Sequence, residues 1–475
     1  MTAPPQWMND MKYVSTRGQA PVLDFEDALL AGLALDGGLY VPESWPRLSP
    51  EILAEFKGKA YADVAFDVLS PFLGPDYDLT RFRNIVQEAY ACFTVDEVAP
   101  LVPLGGRHHL LELFHGPTMA FKDIAMQLLA RLMDDALSRR GQRATIVGAT
   151  SGDTGGAAIE AFRGRDSIDV FILYPEGRVS DVQRKQMTTP TDANVHAVAV
   201  QGTFDDCQAL VKSMFNDVHF RDRVGLAGVN SINWARVMAQ TVYYFTASAK
   251  LTGTAEPVGF SVPTGNFGDI FAGYVAAQMG LPVAQLMIAT NVNDILARVL
   301  DTGVYAIGEV VATASPSMDI QVSSNFERLL FEASDRDDAL VRELMQQLRD
   351  DKTFTLPDNI VSKMREQFAA VRIDQEQMAD VMNQVKHNTG MVIDPHTAIG
   401  VGAAWQSTLD EQVPMVTLAT AHPAKFPASV AQACGEAVRE PDRVTQMMQL
   451  PERSDLLANE LTAVQNYIAG KSRAV

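Results

Sequence analysis

The sequence predicts an α/β fold in which open, twisted, mostly parallel sheets are flanked by helices. Short apolar runs, each long enough for a buried strand, are separated in most cases by helical patterns, which is typical of parallel strands joined by crossover helices. These runs are ATIVGA, VFILY, VHAVAV, VGFSVP, QLMIAT and PMVTLAT. The first and fourth lead into glycine-rich loops followed by a helix, a junction at which such folds bind ligands.

Two other parts of the chain have a different pattern. FEDALLAGLA and TRFRNIVQEAYACF carry apolar residues at helical spacing, so residues up to about 100 are predicted to be mainly helical. Between about residues 325 and 385 charged residues become frequent and no strand pattern is found. This segment is predicted to be a helical insertion.

The composition limits the class of protein. The chain has 475 residues, of which 47% are apolar, and a formal net charge of −19. No apolar run approaches the roughly 20 residues of a membrane helix, and the N-terminal segment lacks the pattern of a secretory signal. Cys92, Cys207 and Cys434 lie far apart, so neither a disulfide framework nor a metal site is indicated. We expect a cytoplasmic protein that binds neither membranes nor nucleic acid, since phosphate backbones require a basic face.

One glycine-rich loop is predicted to bind a phosphate group. In VGFSVPTGNFGDIFAGYVAAQMG a strand runs into Thr264–Gly268, and a helix is predicted to begin near Asp269 and to end at Gly280. The glycines allow a sharp turn, and the helix start adds unpaired amides and the positive end of its dipole. An ordinary strand-to-helix turn is the alternative.

Two further loops follow predicted strands. Thr150–Gly155, in ATIVGATSGDTGGAAIEAF, offers hydroxyls and amides that suit a carboxylate or a second phosphate, although Asp153 could simply cap a helix. The dinucleotide fingerprint GxGxxG is absent. In VTLATAHPAKF the strand ends at Thr420, so Thr420 and His422 are predicted at the sheet edge where ligands bind. From this loop alone, a His422 that satisfies a turn carbonyl and a Lys425 that points to water are the favoured alternative.

Lys122 lies at the junction of a turn and a helix in FHGPTMAFKDIAMQLLARL. The positive end of the helix dipole and partial burial both disfavour the ammonium form, which makes a neutral, nucleophilic amine easier to reach. A reactive lysine, a phosphate-binding loop and a polar strand end together match what pyridoxal phosphate requires: a covalent anchor, a phosphate site and a partner for the ring nitrogen.

The sequence resembles the threonine synthase family, in the longer type found in many bacteria and fungi. That family lies within fold type II of the pyridoxal-phosphate enzymes, the tryptophan synthase beta-like group, whose architecture has two open twisted sheets. The resemblance covers essentially the whole chain. The motifs that carry it are YVSTRG, DGGLYVPESWP, LFHGPTMAFKD, ATSGDTGGAA, VQRKQMTT, VNSINWARVMAQ, PTGNFGDIFAGY, DPHTAIG and ATAHPAKFP.

The resemblance implies roles for individual residues. Lys122 would carry the cofactor through a Schiff base and Thr420 would face its ring nitrogen. The phosphate-binding loop would consist of Gly265, Asn266, Phe267, Gly268 and Asp269. The loop that receives the substrate carboxylate would consist of Ser151, Gly152, Asp153 and Thr154. The implied reaction converts O-phospho-L-homoserine and water into L-threonine and inorganic phosphate.

The leaving phosphate needs cations that the global charge does not supply. Arg236 and Lys425 lie inside family motifs and are predicted to contact it, with hydrogen bonds from Asn230, Ser231 and Asn233. For Arg17 and Lys185 a surface ion pair is the favoured interpretation. His115 could orient the lysine loop, act as an acid or be structural, and Asp394 and His396 are predicted to be scaffold near the cleft.

The predicted organisation has three parts. A mainly helical unit covers 1–100, a large cofactor-binding unit covers 101–134 and 246–475, and a small α/β unit covers 135–245. Family members of this type are monomers or homodimers, and the sequence does not decide between them. The alternatives are another fold type II lyase such as a serine or threonine dehydratase, a non-catalytic homologue, or a nicotinamide dehydrogenase.

Overall fold

The computed structural model describes residues 10–150, 152–435, 438 and 440–475. Its architecture confirms the predicted α/β class, with two largely parallel sheets and helices on their faces. The strands of the described residues are β1 (Tyr13–Ser15), β2 (Tyr40–Pro42), β3 (Leu101–Gly105), β4 (His108–Glu112), β5 (Ala144–Ala149), β6 (Ile168–Pro175), β7 (Val195–Gln201), β8 (Leu226–Ala227), β9 (Val258–Pro263), β10 (Val283–Thr290), β11 (Val304–Ala306), β12 (Thr353–Thr355), β13 (Phe368–Arg372), β14 (Met415–Ala419) and β15 (Asp455–Ala458).

Helices account for most of the remaining regular structure in the described ranges. They are α1 (Phe25–Ala31), α2 (Pro50–Ala54), α3 (Tyr61–Leu69), α4 (Leu79–Tyr90), α5 (Lys122–Arg140), α6 (Asp153–Phe162), α7 (Asp181–Thr188), α8 (Phe204–Asn216), α9 (Val218–Arg223), α10 (Trp234–Thr252), α11 (Gly268–Gln278), α12 (Ile295–Thr302), α13 (Phe326–Ala333), α14 (Asp338–Asp351), α15 (Asp358–Arg365), α16 (Gln375–Thr389), α17 (Pro395–Trp405), α18 (Pro427–Cys434), α19 (Asp442–Met448) and α20 (Leu461–Lys471). Short 3₁₀ helices occur at Ser70–Phe72, Pro316–Met318 and Pro423–Lys425.

The larger sheet has six strands in the order β13-β10-β9-β14-β4-β3. Neighbouring strands are parallel except for β3 and β4, which are antiparallel. The smaller sheet has five strands in the order β15-β7-β6-β5-β8 and is parallel throughout. The strands β6, β9 and β14 are buried along their whole length because helices cover both sheet faces, which explains their continuous apolar runs.

The strand order positions the site. The strands β9, β14 and β4 are neighbours in the larger sheet and are parallel to one another. Their carboxyl ends therefore meet at one edge, where the loops after them carry the TGNFGD segment, Thr420 and the turn before Lys122. Three of the sequence-predicted site segments are thus brought together by topology.

The apolar runs that predicted strands all form strands, and the helices predicted at Lys122 and near Asp269 begin at Lys122 and Gly268. The prediction that residues 325 to 385 contain no strand was wrong. Besides α13 to α16, this segment contains β12 and β13, and β13 pairs in parallel with β10 as the edge of the larger sheet. The pattern failed because edge strand Phe368–Arg372 is only partly buried and lacks a clear apolar run.

The C-terminal segment also differs from the predicted division of the chain, which assigned 246–475 to the larger unit. Strand β15 pairs with β7 in the smaller sheet, and α20 packs on α8. The exposed strand DLLA is short and mixed in polarity, so its sequence does not indicate which sheet it joins.

Candidate active site

The lysine turn is held against the end of β14 by backbone hydrogen bonds. The N–H of Phe121 donates to the carbonyl of Thr420 over 2.8 Å, and the N–H of His422 donates to the carbonyl of Met119 over 3.0 Å. An antiparallel bridge joins Ala120 to Ala421 between them. The first helical residue, Lys122, is therefore fixed beside Thr420; the resemblance implies these two residues as the anchor and the ring partner of the cofactor.

A buried carboxyl group shapes the same turn. Asp123 accepts hydrogen bonds from the backbone N–H and the hydroxyl of Thr118, both over 2.7 Å. A Cβ atom at Gly116 would lie 2.5 Å from the Cβ of Asp123, so the turn requires glycine there. Burial raises the pKa of Asp123 to about 6, although the Thr118 hydrogen bonds favour the ionised form. The sequence analysis did not identify this role of Asp123.

The amine of Lys122 is in an environment that favours its neutral form. Its side chain is 12% exposed, and Nζ lies 4.0 Å from Oδ2 of Asp153. Burial lowers the pKa of Lys122, and the nearby Asp153 carboxylate offsets part of that effect. The cations Lys425 and Arg236 lower the pKa further, so the net shift is downward.

Asp153, predicted to help receive the substrate carboxylate, is already engaged. Its Oδ1 lies 2.8 Å from Nζ of Lys425, whose side chain is completely buried, and accepts a hydrogen bond of 2.9 Å from Gln183. Burial alone would raise the pKa of Asp153, but Lys425 and Lys122 hold it well below its usual range. Lys425 also donates to the carbonyl of Thr118 over 2.7 Å and approaches Gln186.

The loop before α11 has the tight geometry expected of a phosphate-binding turn. Phe267 has a φ of 63°, a left-handed conformation that is uncommon for a residue with a side chain. A Cβ atom at Gly265 would lie 2.6 Å from the carbonyl oxygen of Ser317. Asn325 stabilises the loop, because its backbone N–H and its side-chain amide both donate to the carbonyl of Asn266. Gly268 begins α11, whose first amides have no intrahelical partner.

Asp269 is buried at the second position of α11 and packs against α10. Its Oδ1 accepts hydrogen bonds from the hydroxyls of Tyr243 and Tyr244. Its Oδ2 has no hydrogen-bond partner among the described residues. Burial raises the pKa of Asp269 to about 7, although both tyrosines and Lys122 favour the ionised form. Sequence reasoning missed the two tyrosines because they lie within a helix buried on nearly all sides, where aromatic residues carry no separate signal.

Arg236 is a buried cation for which the described residues supply no acidic partner. Its side chain donates one hydrogen bond of 3.2 Å to the carbonyl of Val229, and within the described part of the chain its Nε has no partner. Burial lowers the pKa of the Arg236 guanidinium to about 10. A buried cation without a partner lowers the stability of the fold unless an anion pairs with it.

The loop before α10 lies against the phosphate-binding loop. Asn325 donates to the carbonyl of Ser231 over 3.2 Å, and Asn230 is exposed. Asn233 is not free, since its side chain caps α10 at Ala235 and donates to the carbonyl of Leu29 over 2.9 Å. Its predicted contact with substrate therefore competes with two structural hydrogen bonds.

The remaining predicted residues lie at the start of α6 or in ion pairs. Gly152, with a φ of 151°, precedes α6, and Thr154 is half-buried in its first turn. Ser151 lies outside the described residues. Arg17 and Lys185 form ion pairs, to Glu327 over 2.8 Å and to Glu452 over 3.6 Å, but the pair of Arg17 is largely buried rather than at the surface.

The histidines of the motifs have structural partners. His115 lies 2.7 Å from Glu112, and Nδ1 of His422 accepts the N–H of Ala424, while burial lowers the pKa of His422 to about 4. Nδ1 of His396 lies 2.7 Å from Asp394, and its Nε2 accepts the N–H of Ser317, the residue whose carbonyl borders Gly265. Among the described residues no group of three or more histidine, cysteine or acidic side chains is arranged to hold a metal ion.

Known proteins resemble this chain over its whole length. Three family descriptions match it: "Threonine synthase N terminus" at residues 12–90, "Pyridoxal-phosphate dependent enzyme" at 100–420 and "Threonine synthase, C-terminal" at 397–468. A threonine synthase of Pseudomonas aeruginosa is 50% identical over 460 residues, which cover 97% of this chain and 98% of that protein. The chain belongs to the threonine synthase family.

Solved structures of threonine synthases agree with this assignment. The pyridoxal-phosphate-bound enzyme from Brucella melitensis is 56% identical, has a TM-score of 0.96 and covers 98% of this chain and 100% of its own. The yeast threonine synthase is 38% identical with a TM-score of 0.91, covering 97% and 98%. As a threonine synthase family member the chain is a pyridoxal-phosphate-dependent enzyme, so the predicted family, fold type and cofactor are confirmed.

No helix of the described residues of this threonine synthase family member combines the length and the apolarity that crossing a membrane requires.

Proposed function

We propose that the chain converts O-phospho-L-homoserine and water into L-threonine and inorganic phosphate. The observation that carries this proposal is the buried Arg236 guanidinium, whose Nε has no partner among the described residues and which is close enough to Lys122 to lower its pKa. A phosphorylated substrate supplies the anion that such a cation needs. Serine or threonine, the substrates of the rival dehydratases, would leave Arg236 without a partner.

The residues present fit pyridoxal phosphate. Lys122 would hold it covalently through Nζ, and the amides at Gly265–Gly268 and the start of α11 would receive its phosphate. The close approach of Ser317 to Gly265 leaves no room for a side chain, as expected where backbone amides must reach a ligand. The buried Thr420, tied to the lysine turn through Phe121, would face the ring nitrogen as a neutral partner.

When bound, the cofactor withdraws electrons from the substrate and so acidifies its Cα–H and then its Cβ–H. Lys122 is the base within reach, and burial lowers its pKa, which makes the neutral amine easier to form. Over the whole reaction the Cγ–O bond breaks and phosphate leaves. One proton is lost from Cβ and one is gained at Cγ, while water adds its hydroxyl at Cβ and gives its remaining proton to the released phosphate. The atoms balance without an oxidant or reductant.

The loop at the start of α6 would orient the substrate. The substrate carboxylate would be bound by Ser151, Gly152 and Thr154, where α6 presents its first amides. The Asp153 carboxylate would orient Lys122 rather than contact the substrate anion, because like charges repel and its Oδ1 is occupied by Lys425.

Arg236 would hold the leaving phosphate together with Asn230 and Ser231. Lys425 is completely buried and already has three acceptors, so we propose that it acts on the phosphate only through its charge. A cytoplasmic location and a monomeric or homodimeric state stay predictions from the sequence. The three-part division of the chain also stays a prediction, apart from the C-terminal segment that joins the smaller sheet.

The test is product analysis with purified enzyme. With O-phospho-L-homoserine, we expect equal amounts of threonine and inorganic phosphate. With L-serine or L-threonine, we expect no oxo acid and ammonia above background. Rapid oxo-acid formation from serine, with no phosphate release from the phosphorylated substrate, would establish the dehydratase alternative instead.

A further inference from the structure

Asp269 is a buried acid that the proposed reaction does not use. It follows the phosphate-binding loop directly, and its Oδ1 receives hydroxyl donors from Tyr243 and Tyr244 while its Oδ2 has no partner in the described ranges. The Tyr244 hydroxyl also donates to the backbone carbonyl of Asp269 over 2.9 Å. One oxygen of the carboxyl group is therefore fixed as an acceptor, and the other is left for a ligand.

The charged and titratable groups around Asp269 favour its ionised form, but burial opposes ionisation more strongly. Tyr243 and Tyr244 reach it from α10, and Lys122 acts on it from the start of α5. Burial is the largest influence and raises its pKa to about 7. Tyr243 in turn has a strongly raised pKa through burial, with Tyr61 of α3 among the smaller contributors, so it remains a hydroxyl donor.

A dianionic phosphate bound at the start of α11 would make ionisation of Asp269 still less favourable, because like charges in a low-dielectric site repel strongly. With Oδ1 already accepting from Tyr243, the proton of a neutral acid belongs on Oδ2. A proton on Oδ2 can be donated to a phosphate oxygen. This removes the repulsion between the two groups and gives Oδ2 a hydrogen-bond partner.

We propose that Asp269 binds the cofactor phosphate as a neutral carboxylic acid that donates from Oδ2, and that Tyr243 is the positioning residue that directs the proton to that oxygen. This inference rests on the proposed function only in requiring pyridoxal phosphate in the TGNFGD loop. It implies that cofactor binding above about pH 7 takes up a proton at Asp269.

The test measures the affinity of the apoenzyme for pyridoxal phosphate as a function of pH. Asp269→Asn keeps an acceptor for Tyr243 and a donor for phosphate but cannot take up the proton. The ratio of wild-type to variant affinity cancels the protons of the cofactor and of Lys122. We expect that ratio to fall about tenfold for each pH unit between roughly pH 7 and pH 9. Calorimetry in buffers of different ionisation enthalpy should show about one proton fewer taken up by Asp269→Asn at pH 8.

Tyr243→Phe tests the positioning role. Loss of the phenol removes a hydrogen bond that favours the carboxylate, so the pKa of Asp269 rises and the pH at which affinity begins to fall should move upward. Tyr61→Phe is the matched control, because it removes from the neighbouring helix a buried hydroxyl that has no partner in the described part of the chain, and its profile should match the wild type.

Two outcomes overturn the inference. An affinity ratio that is constant with pH would show that cofactor binding takes up no proton at Asp269. An unchanged profile in Tyr243→Phe would remove the positioning role. A wild-type chain that binds no pyridoxal phosphate overturns the proposed function as well, whereas a constant ratio with normal binding overturns only this inference.

Discussion

Lys425 and Asp153 form a buried ion pair, with 2.8 Å between Nζ and Oδ1, and the second oxygen of the same carboxylate lies 4.0 Å from Nζ of Lys122. Two lysines therefore share one carboxylate inside the cleft. The charge of Asp153 is divided between them, so Asp153 cannot fully offset the lowering of the Lys122 pKa by burial. Repulsion from Lys425 lowers that pKa further. The ion pair thus keeps the amine of Lys122 available as a base.

Replacing Lys425 with methionine should raise the pKa of Lys122. The variant loses the repelling charge, and Asp153 is left to pair with Lys122 alone. We expect the acid limb of the kcat profile to move upward by about one pH unit or more, since kcat reports groups in the enzyme–substrate complex. Lys185→Met is the control, because Lys185 pairs with Glu452 near the surface. A normal acid limb with only a raised KM would instead indicate that Lys425 contacts the substrate phosphate.

Replacing Lys122 with alanine should leave a folded protein with turnover reduced by at least about a thousandfold, because both the covalent anchor and the base are lost. Borohydride reduction, digestion and mass spectrometry should locate the cofactor adduct on the peptide that contains Lys122 in the wild type and nowhere in the variant. Lys363→Ala, at an exposed position in α15, is the control and should behave like the wild type. An adduct on another lysine would refute the assignment.

Arg236 is expected to strengthen binding of the phosphorylated substrate while lowering the free energy of unfolding of the apoenzyme. Arg236→Met removes a buried cation that the described residues leave without an acidic partner, so the apoenzyme should be no less stable and could gain about 1–3 kcal/mol in free energy of unfolding. The same variant should lose about tenfold to hundredfold in affinity for the phosphorylated substrate. Urea unfolding with and without inorganic phosphate checks both effects, since phosphate should stabilise the wild type and not the variant. Equal stabilisation of both proteins would argue against a phosphate contact at Arg236.

The positions of two main site segments could be predicted because each lies at the carboxyl end of a strong apolar strand. Thr420 follows β14 and the TGNFGD loop follows β9, and these strands are neighbours in the larger sheet. Local sequence fixes such strand-to-helix junctions, since a continuous apolar run, glycines and a helix start occur within about 20 residues. The lysine turn was identified differently, from helical spacing after a proline turn.

The partners of these residues could not be predicted, because they come from distant segments without a local signal. Lys425 was expected to contact substrate, and its pairing with Asp153 depends on how the loop after β14 meets the start of α6. Asn233 matched a family motif, yet its side chain caps α10 and donates a hydrogen bond to the carbonyl of Leu29. The edge strand β13 was missed because half-buried edge strands lack the apolar run on which the prediction relied.

Replacing Gly265 with alanine should abolish cofactor binding while leaving most of the fold intact. The new Cβ would lie 2.6 Å from the carbonyl oxygen of Ser317, a backbone atom that cannot move aside without shifting the loop. We expect at least about a hundredfold loss of affinity for pyridoxal phosphate, as misplaced amides no longer converge on the phosphate. Gly470→Ala is the control, since a Cβ atom there would meet no heavy atom of the described residues within 4 Å. Normal cofactor absorbance in Gly265→Ala would contradict the proposed phosphate site.

The buried acid Asp269 should make the stability of the apoenzyme depend on pH. Its pKa is about 7 in the folded chain against an ordinary value of 3.8, so between these values the folded chain holds a proton that the unfolded chain has released. Stability therefore falls as pH rises through this window and levels off above the folded pKa. Asp123, with a pKa of about 6, acts in the same direction but is common to wild type and variant, so its effect cancels in their difference.

Asp269→Asn isolates the contribution of this single acid. From pH 5 to pH 7 the free energy of unfolding of the variant should rise relative to the wild type by roughly 2 kcal/mol, because only the wild type loses stability as that proton is released. Urea midpoints of the two apoenzymes across this range provide the measurement. Parallel midpoint curves would mean that the acid ionises at its ordinary pKa in the folded chain, and that the environment formed by Tyr243 and Tyr244 does not hold its proton.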